Sequence, residues 1–140
     1  MTVFTEPFRV FAFYAAANGF IMLVLGMLVV RARVKTRTPL GDGGRPDMAR
    51  PLRAHANNTE TVPMALLMMW ALLPLGASAW LLHAAGVPLT LGRLLHAVGL
   101  SRDAGPSTLR LIGMVLTWIA YAVGIVAALW LAFLPAAVAS

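Results

Sequence analysis

The sequence contains no cysteine, and this absence excludes several kinds of chemistry. Without thiols the chain forms no disulfide framework, offers no thiolate ligand to a metal and carries no cysteine nucleophile. Its three histidines are scattered along the chain with no recognisable metal-ligand spacing. We therefore expect no metal site, and a reaction that needs a thiol would have to take it from a bound ligand.

Charged residues are also scarce, because they make up 11% of the chain, against roughly a quarter in soluble proteins. Hydrophobic residues account for 60% of the 140 positions, and the mean hydropathy is +0.81. The formal net charge of +6 could indicate nucleic-acid binding, but the basic residues lie between apolar runs, which is typical of membrane proteins. We predict a single integral membrane domain over residues 1–140, with the lipid bilayer as a partner and no nucleic acid.

Long apolar segments predict four helices, at about residues 8–31, 51–75, 79–100 and 108–134. The first run, Val10–Val30, has about the 20 residues that cross a bilayer. Basic residues follow it instead of a small-residue cleavage site, so it is not a cleaved signal peptide. Pro51 suits a first helical turn, and the segment 76–78 predicts a tight turn. Short connections between neighbours favour an all-α, antiparallel four-helix bundle.

The basic residues also predict the orientation of the bundle in the membrane. Seven of the eleven lie in the first loop and the helix ends beside it, between Arg31 and Arg53. Three more lie around the third loop, whereas the second loop has none. By the positive-inside rule, the first and third loops face the cytoplasm. We therefore expect a multi-pass protein with both termini away from the cytoplasm, in the inner or cell membrane if the protein is bacterial.

The densest polar cluster, residues 53–63, runs directly into the second apolar segment. In a helix, Arg53, Asn57 and Glu60 lie at i, i+4 and i+7 and therefore share one face. A carboxylate within a bilayer is costly unless it is paired, so an intramembrane acid is read first as a functional residue. The cluster predicts a binding site at the cytoplasmic end of the second helix.

Basic residues on the other helices are expected to join this cluster. At about 1.5 Å per residue, Arg93 on the third helix reaches a depth similar to that of Glu60, while His96 and Arg110 lie nearer the surface. Glu60 is the acid that faces these arginines, and buried charges need opposite partners. The excess positive charge predicts an anionic ligand that carries carboxylates.

At these residues the chain resembles the MAPEG family, the membrane-associated proteins of eicosanoid and glutathione metabolism, over nearly its whole length. The residues that carry the resemblance are Arg53-x-His55-x-Asn57-x-x-Glu60-x-x-Pro63, Gly92-Arg93-x-x-His96-x-x-Gly99, Arg110-x-x-Gly113 and the Leu40–Gly44 loop, which is similar to the bacterial branch. The resemblance implies a homotrimer with glutathione bound between neighbouring subunits at the cytoplasmic side. A lipophilic second substrate would enter from the bilayer. Small residues (Gly19, Gly26, Gly113 and Gly124) would allow the helices to approach closely.

The resemblance also implies roles for individual residues. Arg110 falls where the catalytic arginine of leukotriene C synthase stabilises the glutathione thiolate. The positions expected to bind glutathione are Arg53, Asn57, Glu60, Arg93, His96 and either Arg33 or Arg31. Among them, Glu60 would meet the glutathione ammonium group and Arg53 a carboxylate. The implied function is that of a glutathione-dependent transferase or peroxidase that conjugates or reduces lipophilic electrophiles.

Other interpretations stay open at this point. Thr61 replaces a tyrosine that is frequent in the family, and His96 and Leu100 stand where leukotriene C synthase has tyrosines. A non-catalytic protein that binds lipid or glutathione is the first alternative. A small multidrug-type transporter is the second, although its membrane acid is expected on the first helix. Asn18 predicts a hydrogen bond between helices, and His55 and His83 have no assigned role.

Overall fold

The computed structural model describes residues 6–102 and 107–133, with no account of the Arg102 side chain. These residues form four α-helices: α1 (Glu6–Thr36), α2 (Pro46–Leu72), α3 (Ala79–Arg102) and α4 (Thr108–Phe133). The described part of the chain contains no strand. The predicted all-α four-helix membrane bundle is therefore confirmed.

The two largest differences from the predicted helix ends both lie beside the first loop, while α2 ends at Leu72, slightly before its predicted end. The first helix continues to Thr36, with Arg33 and Lys35 in its last turn, where cations interact favourably with the helix dipole. The second helix begins at Pro46, because a proline fits the first helical position and Asp47 follows in the first turn. Pro51, the predicted start, lies inside the helix.

Three of the helices, α1, α3 and α4, are long and apolar enough to cross a membrane by length and composition. The second helix is also long, with 27 residues, but it does not reach the same mean hydropathy. The polar cluster of residues 53–63, where the sequence predicts the site, lies in the middle of this helix. A helix of this kind is tolerated in a membrane bundle when its polar side chains face neighbouring helices or a cavity.

The central pair, α2 and α3, separates the other two helices. Both α1 and α4 pack against this pair, and over the described ranges they make no contact with each other. The shared core contains the aromatic side chain of Tyr14 together with small and unbranched or branched apolar side chains, among them Ala65, Met69, Leu72, Leu82, Leu89 and Ala120. The outer faces of α1 and α4 expose large apolar side chains, including Phe20, Val34, Trp118 and Trp130, as expected for surfaces that meet lipid or another protein chain.

Glycines bring α3 and α4 into backbone contact. A Cβ atom added at Gly113 would lie 2.6 Å from the backbone nitrogen of His96 and 2.7 Å from the carbonyl oxygen of Gly92. A Cβ at Gly99 would lie 2.9 Å from the backbone nitrogen of Arg110. These glycines therefore fix the position of the site-bearing ends of α3 and α4.

The small residues expected to allow close helix approach differ in their positions. Gly113 and Gly124 are both buried inside the subunit, with Gly124 beside Met68 of α2. Gly113 contributes to packing within one subunit. Gly19 is exposed, and a Cβ atom added there would have no neighbouring atom within 4 Å, so this glycine leaves space on the outer face of α1.

Polar contacts link α1 to α3 in the apolar interior. Asn18 is fully buried, and its Nδ2 atom donates hydrogen bonds to Thr90 Oγ1 at 2.8 Å and to the carbonyl oxygen of Tyr14 at 2.9 Å. The predicted hydrogen bond between helices is therefore confirmed within one subunit. Tyr14 Oη and His83 Nδ1 form a second link at 2.7 Å.

We expect Gly113→Ala to lower the free energy of unfolding by about 1–3 kcal/mol, because the added methyl group overpacks a backbone contact. Thermal unfolding in detergent would measure the loss. Gly19→Ala is the matched control, since its methyl group meets open space and alanine favours the helix by about 0.5–1 kcal/mol. Equal unfolding temperatures for the two variants would contradict the close contact between α3 and α4.

Candidate functional site

A cavity of about 470 Å³ opens where α2 and α4 begin and α3 ends. Its lining is strongly basic and consists of Asp42, Gly44, Arg45, Pro46, Ala49, Arg50, Arg53, Asn57, His96, Leu100 and Arg110. The structure thus brings together four of the residues that the sequence selected, from three different helices: Arg53, Asn57, His96 and Arg110. Four arginines and one aspartate give this end of the bundle an excess of positive charge.

Arg93 lies beside this cavity, is 1% exposed and bridges three helices. Its Nη1 atom donates to Asn57 Oδ1 at 2.7 Å and to Thr61 Oγ1 at 3.0 Å. Its Nε atom donates to Thr117 Oγ1 at 3.0 Å. Asn57 and Thr61 lie on either side of Glu60 along α2. The Arg93 side chain therefore lies at the same height in the bundle as Glu60, as predicted.

Neutral groups alone satisfy the Arg93 guanidinium within the described residues. The two threonine hydroxyls that accept its protons donate in turn to backbone carbonyl oxygens, Thr61 to Asn57 and Thr117 to Gly113. Tyr121 Oη adds a hydrogen bond to the carbonyl oxygen of Thr61 at 2.7 Å. A buried charge that is hydrogen-bonded and has no carboxylate partner keeps its positive field. Arg93 therefore holds Asn57 in place and adds to the positive potential beside the cavity.

Glu60 does not line this cavity. Its side chain is exposed on the surface of the single subunit, and it forms no ion pair within the described ranges. It lies about one turn beyond Asn57, at the level where Arg93 occupies the space between α2 and α3. The expected pairing of Glu60 with the arginines is therefore absent within one subunit, and its pairing with a ligand stays a prediction.

Arg33 also lies away from the cavity lining. Its Nη1 atom donates to the carbonyl oxygens of Thr38 at 3.1 Å and Gly41 at 3.2 Å. These hydrogen bonds tie the end of α1 to the first loop, which turns through Arg37 and Gly41, both with positive φ. Within one subunit Arg33 thus has a structural role, and its expected contact with glutathione stays a prediction.

Sequence reasoning missed several residues of the site. Arg45 and Arg50 line the cavity, and Arg50 could have been found because it lies three residues before Arg53 on the same helical face. Thr117 could have been found by the same rule, since it lies seven residues after Arg110. Thr61 was noted only as a departure from the family pattern, yet it is a hydrogen-bond partner of Arg93.

The fold and the cavity together define a small integral membrane protein with an arginine-lined polar site at one end of its helical bundle. The chain belongs to the MAPEG family, because the model of that family matches residues 11–130. It is similar to the inner membrane protein YecN of Escherichia coli K12, with 33% identity over 119 residues, 85% of this chain and 89% of YecN. YecN of E. coli O6:H1 strain CFT073 gives the same values. The family predicted from the motifs is confirmed.

We expect Thr117→Val to lower the free energy of unfolding by about 1.5–3 kcal/mol, because it removes a hydrogen-bond acceptor from a buried charged group. Thermal unfolding in detergent would measure this loss. Thr59→Val is the matched control, since the exposed Thr59 hydroxyl bonds only to carbonyl oxygens of its own helix. If both variants unfold like the parent, Arg93 does not depend on Thr117.

Proposed function

We propose that the protein is a glutathione-dependent transferase or peroxidase that acts on lipophilic electrophiles within the membrane. The observation that carries this proposal is the convergence of Arg53, Asn57, His96 and Arg110 on one basic cavity. The resemblance to the MAPEG family implies that residues at these positions bind glutathione or activate its thiol. Membership of the MAPEG family supports the same conclusion.

The chemistry of the cavity suits glutathione. Its volume of about 470 Å³ lies in the usual range for small-molecule sites, about 300–1,000 Å³. Glutathione carries two carboxylates, and arginine binds a carboxylate through two parallel hydrogen bonds. Arg53 is suited to this task, and the Asn57 side chain offers an amide to the peptide groups.

The proposed reaction takes its nucleophile from glutathione, because the chain has no cysteine. A thiol with a pKa of about 8.5 is mostly protonated at neutral pH, and an adjacent cation in a low-dielectric site favours the thiolate. Arg110 supplies that cation, since arginine does not lose its own proton. The thiolate sulfur then forms a bond to an electrophilic carbon, and the substrate either expels its leaving group or, in an addition, takes up a proton. With a lipid hydroperoxide, the sulfur bonds to the terminal oxygen as the O–O bond breaks, the lipid alcohol leaves, and a second glutathione converts the resulting sulfenic acid to glutathione disulfide and water. The protein contributes positioning and electrostatic stabilisation.

The proposed assembly is a homotrimer in the inner membrane, with both termini away from the cytoplasm. The relative with 33% identity is named an inner membrane protein, which supports this location. Glu60 is exposed on the single subunit, and an exposed carboxylate on a membrane helix needs a polar neighbour. A second copy of the chain packed against α2 would cover Glu60 and bring it to a ligand held between subunits.

A binding protein without catalytic activity is the second candidate. The observation that favours it is that no serine, threonine or tyrosine is found among the described residues that line the cavity. Hydroxyl groups would add donors near a bound thiolate, and here His96 and Leu100 occupy two positions where leukotriene C synthase has tyrosines. Formation of the thiolate distinguishes the two candidates.

We expect Arg110→Ala to abolish most turnover while leaving glutathione affinity largely intact, because the lost interaction stabilises the charged reacting state. The parent with bound glutathione should show thiolate absorbance near 240 nm at neutral pH, and the variant should lose it. Arg110→Lys should retain part of both signals, as a point charge without the planar guanidinium.

Arg9→Ala, an exposed arginine on α1 before the apolar run, is the control for loss of one positive charge. If Arg110→Ala loses binding and thiolate together, Arg110 binds a carboxylate instead. If the parent forms no thiolate, the protein is a binder and not a transferase.

We expect Glu60→Gln to weaken glutathione binding about tenfold, because a charge-assisted hydrogen bond to the ammonium group becomes a neutral one. Isothermal titration calorimetry of the purified trimer would measure the change. Glu6→Gln is the control, since Glu6 is also exposed but lies at the start of α1. Parent-like affinity in Glu60→Gln would show that Glu60 does not bind glutathione. The trimer is tested separately, and a stable monomer in native mass spectrometry that retains full activity would contradict it.

A further inference from the structure

We propose that a groove between α1 and α3, distinct from the arginine-lined cavity, binds an anionic phospholipid of the surrounding membrane. The acyl chain would lie in the groove, and the phosphate group would lie at its basic end. This site goes beyond the proposed glutathione chemistry and does not depend on it. Three features of the structure carry the inference: the shape of the groove, its length and the charge at one end.

The groove is an apolar slot of about 620 Å³. Its α1 wall includes Ala17, Ile21, Val24 and Leu28, which recur at intervals of four, three and four residues and so form one continuous stripe. Phe20 and Leu25 widen this wall. Facing them, α3 contributes Leu94 and its neighbours. Leu94 is 48% exposed, so the slot is open along its side. A hydrocarbon chain can therefore enter it laterally from the bilayer.

The polar atoms along the α3 wall are already bonded within the protein. Thr90 marks one end of the groove, and its hydroxyl accepts a hydrogen bond from Asn18 at 2.8 Å. Ser101 marks the other end, and its hydroxyl donates to the carbonyl oxygen of Ala97 at 2.8 Å. With these hydroxyls engaged, the groove offers its occupant an apolar surface, which suits a hydrocarbon chain.

The length of the groove matches one leaflet. Eleven residues separate Thr90 from Ser101, which corresponds to about 16 Å along a helix. The hydrocarbon core of a bilayer is about 30 Å thick, so the groove spans about half of it. An acyl chain of one leaflet would thus run from the membrane interface near Ser101 to the bilayer midplane near Thr90.

A basic cavity of about 380 Å³ adjoins the Ser101 end and shares Leu28 and Ser101 with the groove. Its cationic lining comes from Arg31, Lys35 and Arg50. Arg31 and Lys35 follow Leu28 on α1 by three and seven residues. They therefore lie on the same face of α1 as the apolar stripe, one and two turns beyond its end. The site is thus amphipathic along its length, with hydrocarbon-like walls leading to a cationic end.

Two further details indicate an anionic headgroup at this end. The Nε atom of Arg50 is buried and has no hydrogen-bond partner among the described residues, and a buried donor is stabilised by an acceptor. Asp47, the acid in this cavity, is already paired with Arg45 at 3.3 Å. A phosphate group would supply acceptor oxygens to the cations, and basic residues at the membrane surface attract the anionic lipids of the facing leaflet.

The test uses the full-length protein in neutral detergent, without glutathione, and native mass spectrometry to count bound lipids. The two probes are dioleoyl phosphatidylglycerol, which is anionic, and dioleoyl phosphatidylcholine, which has the same acyl chains without net charge. We expect one phosphatidylglycerol per subunit, bound at least about tenfold more tightly than phosphatidylcholine.

Two variants separate the headgroup from the acyl chain. Arg31→Gln combined with Lys35→Gln should weaken phosphatidylglycerol binding about thirtyfold, because two surface cations are lost. Val24→Phe should weaken both lipids, because the larger side chain fills the slot. The matched controls are Arg9→Gln for the loss of charge and Val34→Phe for the added volume on the exposed side of α1.

Equal binding of the two lipids would overturn the proposed headgroup site. Binding that is unchanged in Val24→Phe and in the double variant would place the lipid elsewhere and overturn the groove. Absence of bound lipid in the parent would overturn it as well. So would disulfide cross-linking of two subunits through a Leu94→Cys variant, because a second copy of the chain would then occupy the groove. The lipid measurements contain no glutathione, so their outcomes do not depend on the proposed function. Glutathione binding is measured separately, in the double variant as well, because Arg31 is one of the two α1 positions that the family resemblance assigns to glutathione.

Discussion

The burial of Arg93 is the constraint on which the rest of the site depends. A guanidinium group that is 1% exposed inside an apolar bundle must keep every strong donor satisfied. Asn57 and Thr61 on α2 accept from its Nη1 atom and Thr117 on α4 from its Nε atom, while Nη2 lies 3.7 Å from the Met114 sulfur. One side chain therefore sets the spacing of three helices at the level where the arginine-lined cavity ends. The absence of a carboxylate from its contacts within the described residues leaves the field of the charge available to that cavity.

Close backbone packing makes this arrangement possible. At Gly92 and Gly113 the backbones of α3 and α4 come into direct contact, and the short distance lets Arg93 reach Thr117. The same packing holds His96 beside the start of α4, where Arg110 enters the cavity. The glycines between α3 and α4 thus set the distance between these helices, and this distance determines where the charged side chains at the helix ends meet. An anionic ligand would complete this arrangement by neutralising the excess positive charge.

The sequence predicted most of the fold because membrane helices depend on a few strong signals. Apolar runs gave the number of helices, and the constant helical rise placed Arg93 at the level of position 60. The start of α2 was harder to place, because Pro46 and Pro51 both fit a first helical turn and only the structure shows which one begins the helix. The local sequence does not show which of two suitably placed prolines begins the helix.

The site was predicted in part for similar reasons. Arg53, Asn57, His96 and Arg110 carry charge or polarity that stands out against apolar helices, and the structure brings them together. Thr61 and Thr117 are harder to select, since a threonine inside a membrane helix usually bonds to its own backbone. Only the spacing of seven residues from Arg110 points to Thr117. The exposure of Glu60 could not be predicted from the sequence either. The helical pattern shows which face of α2 carries Glu60, but it does not show how far along α2 the cavity extends. Packing of α2 against α3 determines that extent.

A structure of the protein in a lipid nanodisc with saturating glutathione would test the central claim most directly. We expect density for one tripeptide in the arginine-lined cavity, with its sulfur within about 4 Å of the Arg110 guanidinium and a carboxylate against Arg53. Glutathione bound with its sulfur turned away from Arg110, or a cavity without glutathione at saturation, would contradict the proposal that this site activates a thiol.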